Sequence, residues 1–417
     1  MCAININDNK PCLLIMKYIS ALLYFIIFFL FYIPSLKAQT FQVDDYLQHS
    51  VIFTMGEEGY HNYRIPSVVQ AKNGTLIAIV EGRRDKRGDP GAGHIDLVYK
   101  LSFDGGRNWS LIRVLVQSRE NWAASNPTVL VDSTNGRIFV FYAVWMPGRG
   151  SHNSRPGTPD NQLWMRYSDD HGMNWSAAEE ITRQGKDYQR WGRASFGPGH
   201  GIQLQNGRLI VPMSGPAEFD GIQETASYAL YSDDGGKNWI RGGQINAPTN
   251  ENTIVELRNG DLLMDARPRG RSNARWVAIS KDRGESWGDP IQGLISPVIH
   301  ASIIRYFQPD SPDNSLLIWS GIKGPEFMNR IPGHEIDYPN RILRTNLVMR
   351  VSVDQGKTFP AEFWIHKGPA AYSVITLIED YGIGVIWEGG NLPTGTVNFT
   401  RIPKEVIQVF LDLSQRN

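Results

Sequence analysis

The chain of 417 residues carries 42 basic and 42 acidic side chains, a formal net charge of zero. With no polybasic tract, nucleic acid is an unsuitable partner. Its two cysteines, Cys2 and Cys12, both fall within the first 38 residues, so no disulfide can hold the remainder together.

Taken in order, the chain opens on a segment unlike the rest. Ile19 to Leu36 is almost entirely apolar, Lys10 and Lys17 precede it, and Ser35 and Ala38 follow. The pattern predicts a signal peptide over residues 1–38, cleaved near Ala38, with an uncleaved anchor through residues 19–36 as the competing expectation. The protein would then be exported, periplasmic or extracellular. Residues 39–417, with 39 basic and 41 acidic side chains, form a chain long enough to bury a core without disulfides.

Beyond this segment one pattern recurs. Ser232-Asp233-Asp234-Gly235-Gly236-Lys237-Asn238-Trp239 has near copies at Ser102–Trp109, Ser168–Trp175, Ser280–Trp287 and Ser352–Phe359, in the form Ser-x-Asp-x-Gly-x-x-Trp. The chemistry is that of a turn: Asp accepts backbone N–H bonds, Gly supplies a positive φ and the aromatic ring folds back as an anchor. A metal site is the less natural use of these aspartates, and no His-Glu-x-x-His or calcium loop occurs. Successive serines are 66, 64, 48 and 72 residues apart, room for about four strands per unit. Asn-Gly turns at Asn73-Gly74, Asn135-Gly136, Asn206-Gly207 and Asn259-Gly260, continued by Asp313-Asn314 and Tyr381-Gly382, bring the series to six. The repeat has no linker within it, which predicts a single all-β domain over residues 39–417: a six-bladed β-propeller of four-stranded antiparallel blades, its last blade completed by a strand from the chain start. The one helix expected is short and C-terminal, near Lys404 to Leu413.

The residues that carry chemistry lie outside the turn boxes. Tyr63-Arg64-Ile65-Pro66 opens the first unit, and Asp89 follows 25 residues after Arg64 within Arg87-Gly88-Asp89-Pro90-Gly91. Arg-Ile-Pro near the start, joined to repeated boxes, resembles the sialidases, bacterial exo-α-sialidases in particular, over essentially the whole exported chain. That resemblance implies a role for each matching position. Arg64, Arg267 and Arg344 look like the arginine triad that holds the substrate carboxylate, with Arg341 an alternative for the third. Asp89 resembles the acid/base, Glu251 and Tyr372 the glutamate–tyrosine nucleophile pair, and Glu388 the late glutamate that steadies the first arginine. Glu251 and Arg267 stand sixteen residues apart, and Arg344 eight residues before Ser352, as the family spacing requires. Arg83, after the strand leading to Asp89, is a further candidate for facing the substrate; Asp85 is a rival to Asp89.

Chemistry asks for these residue types together. Sialic acid carries a carboxylate on its anomeric carbon, which a permanently charged guanidinium can bind through two parallel bonds. A carboxylate nucleophile would be repelled by that group, whereas a neutral tyrosine is not; sialidases are the recognised glycosidase exception with a Tyr nucleophile. An ordinary phenol ionises near pH ~10, so Tyr372 needs a base, and Glu251 supplies one. Asp89 would protonate the leaving oxygen and then activate water, giving retention of configuration. The resemblance therefore implies an exo-α-sialidase acting on sialylated glycoproteins, glycolipids or oligosaccharides, with no cofactor, metal or obligate protein partner. Two other outcomes share the scaffold: a propeller that binds sialylated glycans without cleaving them, which would need neither Asp89 nor Tyr372, and a trans-sialidase or anhydro-forming enzyme using the same intermediate.

Overall fold

Each of the five boxes forms the same closed set of hydrogen bonds. The serine Oγ donates to an aspartate oxygen at 2.7–2.9 Å and accepts the glycine N–H at 2.8–2.9 Å. The aspartate also accepts the backbone N–H four residues on, at 2.9 Å in every copy. The last glycine of each box has φ between 84° and 92°, as the turn demands. These bonds, led by that from the Asn238 N–H, hold the Asp234 carboxyl down to about 2, so the aspartates brace turns. The five aromatic rings, Trp109, Trp175, Trp239, Trp287 and Phe359, each pack on a different hydrophobic cluster.

The computed structural model describes residues 46–85, 88–269, 273–308, 311–325 and 344–416. The segment 1–38 and Arg341 lie outside them. Strands run in antiparallel groups. After β1 (Gln48–Thr54), the first group is β2 (Asn62–Gln70), β3 (Leu76–Arg83), β4 (Ile95–Ser102) and β5 (Arg113–Val116). The second is β6 (Ala123–Val131), β7 (Ile138–Trp145), β8 (Asn161–Ser168) and β9 (Glu179–Glu180), followed by a helical turn, α1 (Thr182–Gly185). The third starts from three fragments, β10 (Ser195–Phe196), β11 (Gly199–His200) and β12 (Ile202–Gln203), then β13 (Leu209–Phe219), β14 (Ile222–Ser232) and β15 (Ile240–Gln244). The fourth is β16 (Thr249–Glu256), β17 (Leu262–Pro268), β18 (Ala274–Ser280) and β19 (Ile291–Ile295).

The fifth group begins with β20 (Ser302–Gln308), β21 (Ser311–Ile322) and β22 (Thr345–Ser352), and closes on the first half of β23 (Ala361–Ile378). The second half of β23 opens the sixth with β24 (Gly382–Gly389) and β25 (Thr396–Pro403), and β1 pairs with β25 as its fourth strand. A strand from the chain start thus completes the last group. The helix α2 spans Lys404–Arg416.

Five boxes and five of the six expected hairpins fall between the strands they were expected to join. The exception is Asp313-Asn314, which lies inside β21; the strand register closes from Gln308 to Ser311 instead. Asp313-Asn314 lacks the glycine that the other five pairs carry, and with it the residue that most readily takes the positive φ of a tight hairpin turn. The first strands of the groups adjoin one another: β2 touches β6 and β23, β6 touches β13, β13 touches β16, and β20 touches both β16 and β23.

Candidate active site

Four of these first strands carry the same irregularity. Between Arg64 and Ser67, between Ser125 and Thr128, between Thr249 and Asn252, and between Ala370 and Ser373, three steps along the strand oppose two on its partner. Each is a one-residue β-bulge, which bends the strand and re-aims a side chain. Prolines with no N–H to lose follow two bulged residues, Ile65-Pro66 and Asn126-Pro127. Ile65 and Asn126 both have left-handed backbone, φ 56° and 53°. The next residue locks each bend: Ser67 donates to the Gly199 carbonyl and Thr128 to that of Gly197. Arg64, Asn126, Glu251 and Tyr372 are thereby brought to one cavity of about 340 Å³.

Glu388, fully buried on β24, sits behind this cavity. Its carboxylate accepts from Arg64 Nε at 2.8 Å, from the Ile65 N–H at 2.7 Å and from the Tyr372 N–H at 3.3 Å. Burial opposes the Arg64 charge, but Glu388 more than restores it, and Arg64 is held above the ordinary arginine range. The Arg64 guanidinium lies 5.5 Å from the centre of the Tyr372 ring.

The Tyr372 hydroxyl donates to Glu251 and accepts from Arg267 Nη1 at 3.0 Å, while the same nitrogen bonds the other Glu251 oxygen at 2.6 Å. Burial, and then the Glu251 charge, push the phenol well above its ordinary value against the pull of Arg267, Arg344 and Arg64. For Glu251 burial again opposes charge, but Arg267 chiefly, aided by the bond from Tyr372, holds the carboxyl below its usual range. At neutral pH the pair is therefore a protonated phenol on an ionised carboxylate. His300 lies behind them, its ring centre 5.7 Å from that of Tyr372, and burial holds it down to about 3.

Arg344 completes the basic wall. Its Nε is buried without a hydrogen-bond partner among the described residues, and burial, then Arg64 and Arg267, pull it below the ordinary arginine range. Across the cavity Arg83 pairs with Asp89 at 3.1 Å and with buried Glu81 at 2.7 Å. The Asp89 side chain is 86% exposed on its loop. Glu81 also accepts the Asn126 N–H at 3.0 Å.

Seven of the eight residues singled out in the sequence, Arg64, Arg83, Asp89, Glu251, Arg267, Arg344 and Tyr372, line this cavity, and the eighth, Glu388, stands behind it. Asp85 is not among the lining residues. Glu81, Asn126 and His300 were missed. For Asn126 a signal existed: Asn126-Pro127-Thr128 echoes Ile65-Pro66-Ser67 one unit earlier.

Residues 74–386 match the BNR repeat-like domain family. A sialidase from Micromonospora viridifaciens is 33% identical over 353 residues, which cover 80% of this chain and 51% of that protein. A sialidase from Bacteroides fragilis is 29% identical over 354 residues, 80% of this chain and 61% of that one. The chain thus spans between half and two thirds of the length of these two relatives. Among solved structures, the Hadza microbial sialidase Hz136 superposes with a TM-score of 0.72 at 25% identity, over 86% of this chain and 69% of that one.

Proposed function

The chain belongs to the sialidase family that carries BNR repeats, and from that membership we propose that it is an exo-α-sialidase releasing terminal α-linked sialic acid from sialylated glycans with retention of configuration. The observation that carries the proposal is the Tyr372 hydroxyl held at once by Glu251 and Arg267 on a wall of arginines. A pure binding site has use for the arginines but none for a phenol on a carboxylate base.

In this reading Arg64, Arg267 and Arg344 clamp the substrate carboxylate. Two of them already have a carboxylate partner, Glu388 and Glu251, while Arg344 has none among the described residues. The substrate supplies that missing anion. Tyr372 attacks the anomeric carbon as its proton passes to Glu251; the bond to the leaving oxygen breaks, and Asp89 delivers a proton to that oxygen. Water then attacks the same carbon, giving its proton to Asp89, and the tyrosine oxygen leaves with the proton returned from Glu251. Because the resting phenol is strongly protonated, proton transfer and attack occur together. Arg83, anchored by Glu81, positions Asp89.

The proposal extends to architecture and compartment. The adjoining first strands and the β1–β25 pairing support closure of the six groups into a six-bladed propeller. Among the described residues no helix is long and apolar enough to cross a membrane, and export with loss of residues 1–38 follows from the apolar segment at the start.

Release of a fluorogenic aglycone from an α-sialoside tests the proposal. We expect activity in the wild type, a loss of about 10²–10⁴-fold in Asp89→Ala, and a loss at least as large in Tyr372→Phe. A sialosyl fluoride bearing fluorine beside the anomeric carbon, which slows the second step by destabilising positive charge there, should leave its mass on the peptide containing Tyr372. Wild-type protein that binds sialyllactose but releases nothing would replace the enzyme by a lectin; transfer of the sialyl group to added lactose would point to a trans-sialidase.

A further inference from the structure

A second pair of arginines stands on the wall of the same cavity, and none of the steps above uses it. Arg193, just ahead of β10, donates to the Ser151 carbonyl and, at 3.3 Å, to the Glu224 carbonyl. Its Nε is buried with no hydrogen-bond partner among the described residues. Arg269, the residue after β17, bonds the Glu224 carboxylate at 3.1 Å. Two guanidiniums thus stand around one carboxylate, and burial, then the Arg269 charge, draws Arg193 below the ordinary arginine range. The two Nη groups of Arg193 bond only backbone carbonyls, and the carboxylate nearest to it, that of Glu224, is hydrogen-bonded to Arg269 instead.

Its position says which part of a substrate it meets. The loop that carries Asp89 is tied to the loop between β7 and β8 by the Gly148 N–H bonding the Gly91 carbonyl at 2.8 Å. The approach is close enough that a Cβ on Gly91 would stand 2.1 Å from the Arg149 carbonyl oxygen. Ser151, which Arg193 holds, follows on that second loop. Arg193 is therefore braced on the Asp89 side of the cavity, where the leaving group departs, whereas the clamp of Arg64, Arg267 and Arg344 surrounds Tyr372.

We propose that Arg193 and Arg269 form an anion subsite for the leaving portion of the substrate, recognising a carboxylate or a sulfate on the sugar next to the terminal sialic acid. The inference rests on the exo-sialidase reading and narrows it to glycans with a second negative charge. An oxyanion entering between the two arginines would give Arg193 its missing partner and share Arg269 with Glu224. A second α-linked sialic acid brings a carboxylate; a sulfated galactose brings a sulfate ester.

The test compares kcat/KM of the purified protein on sialyllactose, on the same sugar sulfated on its galactose, on disialyllactose, and on a fluorogenic sialoside whose aglycone is uncharged. At low salt at least one of the two doubly charged substrates should be favoured over sialyllactose by about tenfold, the size of one charge-assisted bond, and added salt should reduce that ratio. Which substrate is favoured distinguishes carboxylate from sulfate. Arg193→Gln and Arg269→Gln should each bring the ratio towards one through KM, with Arg193→Lys keeping part of it. Because Arg193 also braces two backbone segments, Arg269→Gln carries the test if the first variant misfolds. Equal kcat/KM on all the sugars, or an unaltered ratio in the variants, overturns the subsite and leaves the sialidase reading standing. Inertness towards the fluorogenic sialoside as well overturns both.

Discussion

His300 offers a quantitative handle on the interior behind Tyr372. Only 1% exposed, it is held down to about 3 by burial first, with Arg275, His200 and Arg267 adding to the effect and Glu251 opposing it. An unfolded histidine takes its proton near pH ~6.5. Between these values the unfolded chain binds more protons than the folded one, so stability rises with pH; the contribution is complete above pH ~6.5 and is lost progressively as the pH falls towards the folded value. At about pH 5 the folded ring is still neutral, so the loss depends only on the unfolded value: RT ln(1 + 10^1.5), about 2 kcal/mol relative to about pH 7.5. Urea unfolding of wild type and His300→Gln at the two pH values isolates this amount. The substitution costs packing at both, but that cost cancels in the double difference, as do the titrations of groups that His300 does not touch. The variant should lose about 2 kcal/mol less than wild type on acidification. Equal losses would mean that His300 accepts its proton within the fold, beside Glu251, and would refute the neutral ring assigned here.

Two further substitutions probe the charged groups of the cavity. Arg344→Gln should raise KM for an α-sialoside by about 10–100-fold, the worth of a hydrogen bond to a charged group, yet leave the melting temperature unchanged or higher, because it removes a part-buried cation whose Nε has no hydrogen-bond partner among the described residues; a clear fall in melting temperature would contradict that. Glu388→Gln should do the opposite to stability, lowering it by about 3 kcal/mol in denaturant unfolding because Arg64 loses its buried partner; a loss under about 1 kcal/mol would show that the pair contributes little net.

Much of this protein was legible in its sequence because the informative parts are local. A box needs only eight residues to satisfy its own turn, so Ser232 to Trp239 announces itself without reference to anything distant. Strand boundaries followed from such turns, and failed only at Asp313-Asn314, a pair without glycine that lies inside a strand. The candidate site was legible through spacing, Arg344 to Ser352 or Glu251 to Arg267, since each residue keeps a fixed place relative to its own strand. What sequence could not supply were groups whose importance is set across units. Glu81 is an unremarkable strand residue until Arg83 and the Asn126 N–H converge on it. Arg193 and Arg269, 76 residues apart, acquire meaning only when Glu224 lies between them. His300 likewise becomes notable only through its burial beside Tyr372.

The bulges explain why one carboxylate can govern two proposed functions. A strand paired on one side only already turns alternate N–H groups away from the ladder, and a bulge shifts which of them face outward and where they point. The bulge at Arg64-Ile65 frees the Ile65 N–H, and that at Ala371-Tyr372 frees the Tyr372 N–H; Glu388 accepts both, together with the Arg64 guanidinium. The backbone that aims Tyr372, the proposed nucleophile, and the backbone that aims Arg64, the first arginine of the proposed clamp, are therefore fixed to the same two oxygens. Tyr372 in turn holds Glu251, and Glu251 holds Arg267, so the chain of bonds runs from the first strand group through the sixth to the fourth. Arg344 is joined to this frame through its carbonyl, which accepts the Ala370 N–H at 3.1 Å, and its guanidinium Nε has no partner among the described residues. Under the proposed reaction, a site built this way would hold two arginines rigid and leave the third to be completed by the substrate, so that carboxylate binding and alignment of the anomeric carbon over Tyr372 would become one event.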